Sequence, residues 1–143
     1  MAIKKYFADA DNTIVNAYKE NLRSRATGSN MGQADVSEIY SIFGRQSTSS
    51  AELSRIITKF DIDSISSDRT ANIIPASGKV KFYLKLYNAE TSKTVPRNFT
   101  IVAQTISRSW NEGDGLDLEN YKDSGVSNWI SASEGVAWTT PGS

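Results

Sequence analysis

The clearest pattern along the chain is the run 80–87, where Val80, Phe82, Leu84 and Leu86 alternate with Lys81, Tyr83, Lys85 and Tyr87. Period two over eight residues predicts a strand with one buried face, its other face carrying lysine and tyrosine toward solvent or a partner. Residues 98–106, NFTIVAQTI, predict a second strand, with Phe99, Ile101 and Ala103 on one face. Pro96 and the polar run from Glu90 to Thr94 read as the hairpin-like connection between them. Upstream, LSRIITKFDI (53–62) and VSEIYSIFG (36–44) are rich in β-branched and aromatic residues and are bounded by Ser, Thr and Gly clusters, so both predict strands. NTIVNAY (12–18) is a shorter candidate. DSISSDR (63–69) is long enough for one helical turn, with Asp63 as its N-cap.

Short strands separated by turn residues predict an all-β fold, an antiparallel β-sandwich of jelly-roll-like character over 1–143 as a single domain. Five strands fall short of the usual seven or eight. After Ile106 the chain offers tryptophans, glycines and carboxylates in place of a strand of comparable quality. The tail therefore forms irregular strands, or the chain is the N-terminal part of a longer one, or another subunit completes the sheet. Residues 23–35 and 45–52 avoid apolar side chains and read as loops. No internal repeat is visible.

Composition narrows the chemistry. The 143 residues contain no cysteine, which excludes a disulfide framework and a thiolate zinc site. Histidine is also absent, which removes the commonest general base and the imidazole metal ligand and argues for a protein that is not an enzyme. Sixteen basic residues balance sixteen acidic ones, so no global field draws the chain to nucleic acid or to an anionic membrane. The N-terminus turns acidic at Asp9 and Asp11 with no apolar leader, which points to a protein made in a cytosol.

The stretch 107–129 places Glu112, Asp114, Asp117, Glu119 and Asp123 between two tryptophans and spaces them with glycines. Asp114, Asp117 and Glu119 are candidate ligands for a structural calcium, because that ion takes six to eight oxygens; the alternative is a solvated acidic loop. Asp9 and Asp11 are weaker candidates of the same kind, in what also reads as an ordinary turn opening. Glu112 and Asp117 as a glycosidase pair would need a cleft and one raised pKa, and no apolar pocket is evident in the sequence to supply it. Trp110, following a strand directly, reads as a core anchor. Tyr121, Trp129 and Trp138 are candidates for stacking on a sugar or for a protein interface, as are Tyr83 and Tyr87 on the outer face of 80–87.

The order of landmarks FADADNTI, TGSNMGQADVSEIY, SRIITKFDIDSI, GKVKFYLKLYNAE, RSWNEGDGLD and SNW resembles the DNRLRE-type, carbohydrate-binding-like β-sandwich modules. More closely, the run 7–138 resembles structural proteins of tailed bacteriophages, particularly those of marine cyanobacterial hosts. The resemblance sets Arg55, Ile57, Lys59, Phe60, Asp61 and Ile65 on one family strand and its ending, and Leu84, Leu86 and Tyr87 on another. It sets Ser109, Trp110 and Glu112 at a corner where the tryptophan would anchor the core. The family continues with further strands after a segment like Ala137-Trp138-Thr139, and those strands are missing from this sequence. The resemblance implies a virion component (head decoration, neck or tail-associated) contacting other virion proteins as a homo-oligomer or lattice. In secreted relatives it implies a glycan-binding or adhesion module, whose ligand here would be a host surface glycan.

Overall fold

A computed structural model describes residues 3–43, 51–92, 94–117 and 126–142. Strands dominate its regular structure: β1 (Ala8–Val15), β2 (Ser41–Phe43), β3 (Ala51–Phe60), β4 (Ser131–Ser133) and β5 (Val136–Ala137), with one helix, α1 (Ile62–Thr70). The chain is thus β-rich, in the order β1-β3-β2 for a three-stranded sheet and β4-β5 for a two-stranded one. Packing divides it into two compact units, the larger comprising 8–59 and 106–143 and the smaller 1–7 and 60–105.

In the larger unit β2 runs antiparallel to β3, with Ile42 opposite Glu52. β1 and β3 realise the strands expected around 12–18 and 53–62, while only Ser41–Phe43 of the expected 36–44 strand pairs. The tail does form strands, a tight β4-β5 hairpin with a bulge at Ser131/Ser133 and Gly135 in the left-handed region. Ile14, Ile57, Trp129, Ala132 and Trp138 make the core, and Leu53, Ile106 and Trp110 pack against it. Trp110 is the core anchor its position after Ile106 suggests.

Asparagine side chains do much of the work that ladder hydrogen bonds do in a regular sheet. Asn16 accepts from the Leu53 N–H (2.7 Å) while its own N–H donates to the Leu53 carbonyl (3.1 Å), extending the β3 contact beyond β1. Asn128 accepts from the Ile130 and Ser131 N–H groups (both 2.8 Å), an Asx turn that starts the terminal hairpin. The Trp138 indole N–H donates to the Asn128 carbonyl at 2.7 Å, joining hairpin to turn. Glycine 142, at φ +85°, lies on the Trp129 ring, and Arg55 donates to its carbonyl while stacking 5.1 Å over the same ring.

The smaller unit contains α1. Its N-cap is Asp61 instead of Asp63: the Asp61 carboxylate accepts from the Asp63 and Ser64 N–H groups at 2.9 and 3.1 Å. That cap lets the helix run nine residues, longer than the single turn expected, although none of its residues is buried. Asp68 holds it to the N-terminal segment, accepting from the Tyr6 hydroxyl (2.7 Å) and pairing with Lys4 (2.9 Å).

The two strands expected from the best alternation are not formed. Residues 80–91 and 99–107 run without turn or bend, so the backbone is drawn out as a strand would be, yet no strand pairing occurs among the described residues of 80–107. Alternation specifies which face a strand would bury; it supplies neither the neighbouring backbone nor the covering layer. Among the described residues, 80–107 make no strand, so the expected hairpin and its buried face are absent there.

Candidate interaction surface

Every described residue from Lys81 to Thr105 is exposed. On one side of the 80–87 run stand Phe82, Leu84 and Leu86, each more than half exposed; on the other stand Tyr83 and Tyr87, at 81% and 80% exposure, with Lys81 and Lys85. Lys85 lies 4.7 Å from the Tyr87 ring centroid, a cation–π contact that keeps the phenol standing out from the backbone. The second run adds Phe99, Ile101 and Val102, also exposed. Large apolar side chains thus stand exposed along a run with no strand pairing among the described residues, which makes it a candidate contact surface. The segment 79–105 holds five basic residues, Lys79, Lys81, Lys85, Lys93 and Arg97, against the single acid Glu90. The balanced total charge of the chain conceals this local excess.

The acidic loop has a different role. Residues 113–117 lie against the turn 30–33 as closely as backbone allows: a Cβ on Gly32 would fall 2.1 Å from the Gly113 carbonyl oxygen, and one on Gly115 would fall 2.1 Å from that of Asn30. Asn30, fully buried, accepts from the Gly115 N–H at 2.7 Å. Asn12, also fully buried, accepts from the Met31 N–H (2.9 Å) and donates to the Ser127 carbonyl and hydroxyl oxygens (3.0 and 2.8 Å). The glycines thus serve close approach, and the loop is a clamp that ties β1, the 30–33 turn and the segment entering the hairpin together.

The carboxylates around that clamp point outward. Glu112 accepts from the Asp11 N–H at 2.9 Å, and Asp11 accepts from the Ser37 hydroxyl at 3.0 Å. Asp114 and Asp117 are exposed and make contacts of their own, and Asn30 bridges to Asp117. Glu119, Tyr121 and Asp123 lie outside the described residues. Among the described residues no three His, Cys, Asp or Glu side chains gather as a metal ion would require. In a hollow lined by Lys4, Tyr6, Asp61, Asp63 and Asp68, two of the three carboxylates are engaged: Asp61 caps α1, and hydrogen bonds from Lys4 and Tyr6 hold Asp68 below the usual carboxylate range.

Two of the expected contact aromatics are core residues. Trp129 is 7% exposed and Trp138 is 6% exposed, and both pack on Ile14 and Ile57, so neither presents a face to a sugar or a partner. Their rings close the core formed with Ile14, Ile57 and Ala132. Tyr83 and Tyr87 are exposed on the surface, Tyr87 beneath the Lys85 ammonium. The buried asparagines were invisible to alternation; the signal for them is Asn beside Gly or Ser in SNMG and SNW, where a side-chain amide substitutes for a turn's backbone partner.

No protein-family model matches the chain, and no curated protein and no solved structure matches it.

Proposed function

We propose that this chain is a non-enzymatic structural component of a phage virion, a head-decoration, neck or tail-associated protein that works through protein–protein contact. The observation that carries the reading is the pair of runs 81–88 and 99–105, whose large apolar and tyrosine side chains are exposed on backbone with no strand pairing among the described residues. An extended segment of that kind associates by adding to the sheet of a neighbour, the backbone supplying affinity and alternate side chains supplying selectivity. In the assembled particle these runs supply strands toward a jelly-roll-like sandwich. The virion setting comes from the resemblance of the landmark order to tailed-phage structural proteins, with synthesis in the host cytoplasm. Mass spectrometry of purified particles tests it: the chain is expected at a stoichiometry of structural copies, and its absence from particles would refute the role.

A second reading, a glycan-binding or adhesion module, is favoured by Tyr83 and Tyr87 alone, two exposed phenols on one side of an extended segment. Binding on an array of bacterial surface polysaccharides, lost in Tyr83→Ser/Tyr87→Ser, would support it. Polysaccharide turnover lost on Glu112→Gln would be required for an enzyme. A structural calcium would reveal itself as a calcium-dependent rise in unfolding temperature.

A further inference from the structure

We infer that the run 81–87 pairs with the same run of a second copy of this chain, antiparallel and centred on Leu84. The inference rests on the reading of this run as a contact segment and names its occupant. Register selects the pairing. In an antiparallel pair, residues directly opposite share a face, so copies align only where apolar positions meet apolar ones and polar meet polar. Centring on Leu84 sets Leu84 against its own copy and Phe82 against Leu86, while on the other face Lys81 meets Tyr87 and Tyr83 meets Lys85. Each lysine then faces a phenol, the contact that Lys85 and Tyr87 already make within one chain at 4.7 Å.

Neighbouring registers fail. Centring on Tyr83 puts Lys81 directly opposite Lys85, twice by symmetry, and like charges directly opposite are destabilising. Centring between residues puts lysines against leucines. The arrangement is isologous, the commonest way for two identical chains to associate, and it pairs one edge of backbone that has no strand partner over 81–87 among the described residues. Because both segments are basic, added salt should tighten this pairing by screening their repulsion, whereas an acidic partner would be loosened by it.

The absence of cysteine makes the test direct. Single variants Leu84→Cys, Phe82→Cys and Leu86→Cys are treated with a short thiol-to-thiol crosslinker, folding being checked by circular dichroism. Opposite Cβ atoms lie roughly 5 Å apart in such a pair, while position 82 is offset from its own copy by four residues, about 13 Å along the strand. The result expected is a linked dimer from Leu84→Cys alone and from Phe82→Cys mixed with Leu86→Cys, with none from Phe82→Cys by itself. Tyr83→Lys, which sets lysine against Lys85, should weaken association about tenfold. Equal linking at all three single positions, no linking at any, or an indifferent Tyr83→Lys would overturn the inference. Should the chain be present in particles while Leu84→Cys never links, this pairing is wrong and the structural role stands. Should it be absent from particles while the dimer forms, the role is wrong and the pairing stands.

Discussion

Replacing Gly113 by alanine probes the clamp that fixes the acidic loop. A Cβ at that position would lie 2.0 Å from the Asn30 Oδ1 and 2.5 Å from its Cγ, far inside contact distance. Asn30 has nowhere to swing: it is fully buried, and its Oδ1 holds the Gly115 N–H at 2.7 Å. If the amide moves, that buried N–H loses its partner, a cost of about 1–3 kcal/mol. If the loop moves instead, close packing at Gly32 and Gly113 opens, a cost of similar size. Either route puts the loss at about 2 kcal/mol, and with roughly 4 °C per kcal/mol for a chain of this size the Tm should fall by about 8 °C. Gly135→Ala is the control: its Cβ would meet nothing within 4 Å, and only its φ of +66° is unfavourable, worth about 1–2 kcal/mol. Urea and thermal unfolding of both variants decide the matter. In an Asn30→Ala background the Gly113→Ala cost should shrink, since the clashing atoms are gone. A Gly113→Ala protein as stable as the parent, or a cost unchanged by Asn30→Ala, would refute the clamp.

Other perturbations test separate parts of the account. Trp138→Phe keeps the ring in the core but removes the indole donor to the Asn128 carbonyl, and should cost about 1–2 kcal/mol by urea unfolding. Asp61→Ala removes the N-cap of α1 and should cost the helix about 1 kcal/mol, read as lost ellipticity at 222 nm, while Asp63→Ala should cost less. Burial, with Glu38 and Glu52 nearby, pushes the Tyr40 phenol up to about 12, above its unfolded value of 10.0. The folded form thus holds its proton where the unfolded form has lost it. Stability from this group is complete below pH 10 and falls as pH rises toward 12, by about 1 kcal/mol after allowance for its partial exposure; Tyr40→Phe should flatten that decline in alkaline urea titrations. At the acid end Asp68, held below its ordinary 3.8, contributes stability above that pH which is lost as pH falls further, and Lys4→Met should remove part of the dependence.

What the sequence disclosed and what it hid divide along physical lines. β3 was legible because Ile56, Ile57, Thr58 and Phe60 give a segment rich in β-branched and aromatic residues, and its neighbour β1 followed from Ile14 and Val15. The cap of α1 was misplaced by two residues because Asp61 and Asp63 are equivalent in composition and differ only in which carboxylate reaches back to the free N–H groups. Trp129 and Trp138 read as surface candidates because an aromatic beside glycine and serine fits a platform or a corner equally; their burial with Ile14 and Ile57 is a long-range fact. The clamp rests on amides from Asn12 and Asn30 reaching residues far along the chain, which no local pattern encodes. The strongest alternation, 80–87, marked an exposed run, since periodicity records a capacity for burial and is silent on who supplies the covering surface.

Amide hydrogen exchange of the chain, first dilute and then concentrated or assembled into particles, tests the central claim most directly. The account predicts that 80–88 and 99–106 exchange at nearly unprotected rates in the dilute chain while β1 and β3 remain slow, and that 81–87 becomes protected on association. Protection of 80–88 equal to that of β3 in the dilute chain would mean the run is already paired within its own fold, and would contradict it.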